Sequence, residues 1–83
     1  MRYMTKVVKE RCEECNNSMN EIRQAWVKSE ITNEQATDRL WEVRTNVAQL
    51  FQLPLTITAR NRVKEIVARC DGMINHITMY SNK

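Results

Sequence analysis

Residues 32–54, TNEQATDRLWEVRTNVAQLFQLP, decide how the rest of the chain is read. Thr32, with Gln35 three residues on, has the form of a capping box, a reciprocal pair of hydrogen bonds at a helix start. Ile31 and Ala36 stand where a hydrophobic staple closes the first turn. Glu34 and Asp38 place negative charge near the positive end of the helix dipole. At the other end, the residue before Pro54 is held out of the α region, so this helix is expected to run to about Gln52. Between these limits Ala36, Leu40, Val43, Val47 and Leu50 recur in alternating steps of four and three. That rhythm returns an apolar side chain to one helix face every half-heptad and presents a continuous seam to a partner helix.

The same rhythm occurs on both sides. Val8, Cys12, Cys15, Met19, Ile22 and Trp26 carry it through a helix predicted over about residues 4–28. Asn16, Asn17, Ser18 and Asn20 weaken the middle of that helix, because their side chains compete for backbone hydrogen bonds. Ala59, Val63, Ile66, Cys70, Met73, Ile77 and Tyr80 carry the rhythm through a third helix, capped by Thr56 or Thr58 and running to about Ser81. Gly72 costs that helix up to about 1 kcal/mol relative to Ala. The seam continues across it, so one unbroken helix is expected. The chain has one Gly and one Pro, a composition suited to long helices with short connections. Short connections make consecutive helices antiparallel neighbours. The predicted architecture is all-α, a single domain over residues 1–83. Its three long antiparallel helices form an up-down-up bundle, or a hairpin completed by a second copy.

A chain of 83 residues buries only about 60% of its unfolded surface and often draws stability from self-association. A homo-oligomer is therefore expected. The net charge of +3 is mild, yet uneven. Residues 30–42 set Glu30, Glu34, Asp38 and Glu42 against Arg39. Residues 60–69 set Arg60, Arg62, Lys64 and Arg69 against Glu65. No apolar run approaches the roughly 20 residues of a membrane span. No signal-peptide core follows Met1-Arg2-Tyr3, and the cysteine count of three is odd. These features point to a cytoplasmic chain whose thiols serve as small hydrophobes.

Cys12-x-x-Cys15, with Cys70 and His76, is the arrangement closest to a metal site. Cys70 and His76 leave a helix about 120° and about 9 Å apart, which tetrahedral zinc does not tolerate. All three cysteines also fall on the seam, so core packing is the reading adopted, with no metal and no cofactor. Thiol redox chemistry needs a thiolate stabilised by a cation or a helix N-terminus. Cys12 and Cys15 lie inside a helix beside Glu13 and Glu14. His76 has no carboxylate among its helix neighbours, and no nucleophile elbow, phosphate loop or paired carboxylates occur. An enzyme is not expected.

Two surfaces are left as candidates. On the second helix Trp41, Arg44, Ala48 and Phe51 form a stripe beside the main seam, and Trp flanked by Arg is the composition of an interface hot spot. The third helix widens in the same way through Val67 and Ile74, which suggests burial beyond one copy's own core. The expected function is a non-enzymatic interaction protein, a regulator, adaptor or inhibitor of another protein. The alternative is nucleic-acid or nucleotide binding through Arg60, Arg62, Lys64 and Arg69 at the start of the third helix. Arg60 and Lys64 share one helix face there and Arg62 and Arg69 another, which divides the charge.

Overall fold

The computed structural model describes residues 5–81. They form three helices and no strand: α1 (Thr5–Val27), α2 (Asn33–Ala48) and α3 (Ile57–Ser81), with a 3-10 segment (Gln49–Gln52) continuing α2. The expected start of α1 at Met4 lies outside the described residues. The all-α fold is as the seams predict. The asparagine-rich middle of α1 stays helical, and α3 is unbroken at Gly72.

The helix starts and stops follow from local chemistry. The Thr32 hydroxyl accepts from the Gln35 N–H at 3.0 Å, and the Gln35 amide oxygen accepts from the Thr32 N–H at 2.9 Å. The capping box is complete. Thr56, rather than Thr58, caps α3: its hydroxyl accepts from the Ala59 N–H at 3.1 Å. Leu53 is extended, as a residue before proline must be. The last four residues of the expected second helix tighten into the 3-10 segment as that stop is approached.

α1 ends in a Schellman motif. The Glu30 N–H donates to the Ala25 carbonyl at 2.8 Å and the Ser29 N–H to the Trp26 carbonyl at 3.0 Å. This closure requires a left-handed residue, and Ser29 supplies it with a φ of 61°. Glycine is the usual occupant, because a Cβ is crowded there.

All three helix pairs are in contact within one chain, and the molecule measures 48 × 19 × 15 Å. α1 and α3 run parallel: Asn16 meets Arg69, Met19 meets Cys70, and Trp26 meets His76 and Tyr80 further along both helices. The short connections return α2 between them. The core is wholly apolar, with no buried polar or charged side chain among the described residues. Val8, Cys12, Cys15, Met19 and Ile22 enter it from α1; Ala36, Leu40 and Val47 from α2; Leu50 follows from the 3-10 segment. Ile31, Leu53 and Leu55 pack on it from the connections.

On α3 the buried set is Ala59, Val63, Ile66, Cys70, Ile74 and Ile77. Ile74 thus takes the place expected for Met73, which is half-buried, and Tyr80 is exposed. A straight helix drifts by about 20° per heptad against a strict 4-3 repeat. Over the 25 residues of α3 the drift carries Met73 and then Tyr80 towards α1 and brings Ile74 inward. The surplus apolar width at Phe51, Val67 and Ile74 is therefore taken up by this chain's own core. No helix among the described residues is long and apolar enough to cross a membrane.

Ser29→Gly removes the left-handed penalty without touching a core contact. It should stabilise the fold by about 1 kcal/mol, which for a domain of this size raises the thermal midpoint by about 4–8 °C. Thermal unfolding followed by circular dichroism measures this, and an unchanged or lower midpoint contradicts the role given to Ser29.

Candidate functional site

The stripe on α2 is divided by the fold. Phe51 packs against the core from the 3-10 segment and Ala48 is half-buried beside it. Trp41 stands out, with 50% of its surface in water. The Arg44 guanidinium lies 5.3 Å from the centre of the Trp41 ring, and its Nε donates to Asp71 Oδ1 of α3 at 2.6 Å. A cation over an exposed ring contributes about 0.5–1 kcal/mol. A half-exposed ion pair contributes between about 0 and 1 kcal/mol. The chain of contacts is therefore a weak bias: Asp71 draws Arg44, and Arg44 lies against one face of Trp41.

The basic residues of α3 do not form one surface. Arg60 and Lys64 are exposed on one flank of the helix. Arg69 is on the flank towards α1, where its Nη1 donates to Asn16 Oδ1 at 3.2 Å. Arg62, seven residues earlier, shares that flank and is near enough to Cys12 to offset part of the rise that burial gives its thiol pKa. The helical spacing thus places two pairs of cations on opposite sides of α3, not four around one ligand.

The three thiols gather in one buried region. The Cys70 thiol donates to the Met19 sulfur at 3.2 Å, and Cys15 is close enough to act electrostatically on both Cys12 and Cys70. All three are free and buried. Burial is the main cause that raises each thiol pKa, and Cys70 is pushed up to about 11. A neutral thiol is a poor nucleophile and a poor metal ligand. Among the described residues, no group of three or more His, Cys, Asp or Glu side chains is placed to hold a metal ion.

A further feature is visible only in three dimensions. A groove of about 650 Å³ runs between α1 and α3. One end is lined by Trp26, His76 and Tyr80, whose ring centres lie 5.0–5.9 Å apart in edge-to-face contact. The Trp26 indole N–H donates to Asn33 Oδ1 at 2.5 Å, which fixes the ring against the start of α2. Arg23, Arg69 and Gly72 line the rest of the groove with Met19 and Met73. Within one helix His76 has only Tyr80 as an aromatic neighbour; the third ring comes from α1 across the parallel pair. The signal in the sequence was that both outer seams end on an aromatic residue, Trp26 and Tyr80.

No protein-family model, no curated protein and no solved structure matches this chain.

The thiols have a measurable consequence. Their folded-state pKa values lie above an ordinary thiol value of 9.0, so the unfolded chain releases its thiol protons first as pH rises. Stability should be fully present below that value and decline as pH rises towards the Cys70 value of about 11. Urea midpoints measured across that range should fall, and fall less steeply for Cys70→Ala. Equal slopes in the two chains would remove Cys70 as a source of the effect.

Proposed function

We propose that this chain is a non-enzymatic interaction protein that regulates, bridges or inhibits another protein, binding it through the surface centred on Trp41 and Arg44. The observation that supports this reading is Trp41 itself: a large ring, half in water, held in place by Arg44 and through it by Asp71. Apolar area left in water is worth roughly 25 cal/mol per Å² to whatever covers it. A ring biased towards one position by Arg44 loses somewhat less side-chain freedom on binding. Ala48 and Phe51 form the inner edge of the same stripe. The free, buried thiols suit a reducing, cytoplasmic setting. A second copy of the chain is one partner able to cover Trp41, which would make the protein a homo-oligomer.

Trp41→Ala tests the reading. The substitution should leave helicity unchanged and weaken capture of the partner by a hot-spot margin of about 2 kcal/mol or more, roughly thirtyfold. Binding should survive raised salt. A binding event indifferent to Trp41→Ala, yet abolished by salt and by Arg62→Ala, would replace this surface with the basic residues of α3 and a phosphate-bearing partner. Sedimentation of the isolated chain with and without Trp41→Ala reports whether the covering partner is a second copy.

A further inference from the structure

The groove between α1 and α3 lies on a different face from Trp41, with no α2 residue in its lining. Its lining includes two guanidinium groups, Arg23 and Arg69, and no carboxylate. Arg69 is level with Asn16, to which it is hydrogen-bonded, and Arg23 is seven residues further along α1. At 1.5 Å per residue the helix levels from which the two arginines extend are therefore about 10 Å apart along the groove, some two helical turns. The lining of α1 from Asn16 to Val27 extends over about 16 Å, or three turns.

The floor is apolar, and Met73 is its one partly exposed methionine. Met19 and Ile77 are buried and Met73 half-buried. Methionine is flexible and fits itself to irregular apolar side chains, a property used at helix-binding surfaces. The wall formed by α3 is lowered at Gly72, where an added Cβ would meet nothing within 4 Å. Glycine costs an interior helix position about 1 kcal/mol. The packing of this chain alone gives no return for that cost.

We infer that the groove receives an acidic amphipathic helix of a partner protein. Its apolar side chains, three and four residues apart, would settle on Met73 beside Gly72, and two carboxylates two turns apart would meet Arg69 and Arg23. Single-stranded nucleic acid suits the groove less well. Base stacking needs open ring faces, and Trp26, His76 and Tyr80 are set edge-to-face against one another. A second folded copy suits it less as well. The chain's own acidic segment lies on α2, which buries Ala36, Leu40 and Val47 in its own bundle.

The test uses the full chain carrying Trp41→Phe, which leaves Trp26 as the only tryptophan and places the reporter at the groove's end. The probe is a synthetic helix of about four turns, with leucines three and four residues apart on one face and glutamates seven residues apart beside them. Matched probes are the same peptide with lysine for glutamate and an oligothymidylate. The glutamate peptide should shift Trp26 emission saturably with micromolar affinity, and the lysine peptide should bind at least about tenfold more weakly. Arg23→Glu together with Arg69→Glu should invert that preference. Gly72→Leu should keep or raise helicity while weakening the glutamate peptide by at least about tenfold. No saturable shift up to about 1 mM overturns the inference. So does equal affinity for both peptides, tighter binding of the oligothymidylate, or indifference to Gly72→Leu. A Trp26 shift that follows protein concentration without peptide assigns the groove to a second copy and overturns it too. Trp41 takes no part in this measurement, so its outcome is separate from that of the Trp41 surface.

Discussion

The fold depends on one constraint: three apolar seams must close on each other with nothing polar between them. Val8, Leu40, Val47, Val63, Cys70 and Ile77 are almost wholly removed from water, and no charged or polar side chain is buried with them among the described residues. A core of that kind gains free energy in proportion to the apolar area hidden and specifies little about direction. Direction comes instead from the ends. The Thr32–Gln35 box sets where α2 begins, Ser29 sets how α1 stops, and Pro54 sets how far the returning helix extends. Once those three points are fixed, α1 and α3 have to run side by side in the same direction. Every cross-helix feature of the surface follows from that parallel pair.

The parallel pair also explains what could be read in the sequence and what could not. The capping box, the proline stop and the rhythm of α1 and α2 are local, and each involves residues a few positions apart. They were legible as written, save that Val43 and Trp26 of those seams are half-buried and not buried. The Met73–Ile74 exchange was not, because a 4-3 count treats the helix as if it made 3.5 residues per turn. The real helix makes 3.6, and the difference accumulates with length. In α2, with 16 residues, it stays small; in α3, with 25, it moves a residue from the seam to the flank. Ser29 was equally opaque, since nothing about a serine marks it as left-handed.

The candidate sites divide along the same line. The Trp41–Arg44 pair is separated by three residues on one helix, so sequence spacing was enough to bring it forward. Its anchor, Asp71, is 27 residues away on α3 and emerged only with the fold. The Trp26–His76–Tyr80 cluster joins residues about 50 positions apart, and no periodicity within a single helix predicts it. The basic residues of α3 show the opposite case. They are close in sequence, and the helix separates them.

One consequence ties the core to the surface. The drift that releases Met73 and Tyr80 from the seam delivers them to the flank of α3 that faces α1. There Tyr80 meets Trp26, the half-buried last residue of the α1 seam. The aromatic end of the groove and the place of Met73 in it are thus by-products of helix length, not additions to a finished bundle. Shortening α3 by two turns would leave Arg69 and Gly72 in place and remove His76 and Tyr80, so the groove would open at that end. The 25 residues of α3, against 16 in α2, are what extend the groove between α1 and α3 as far as Tyr80.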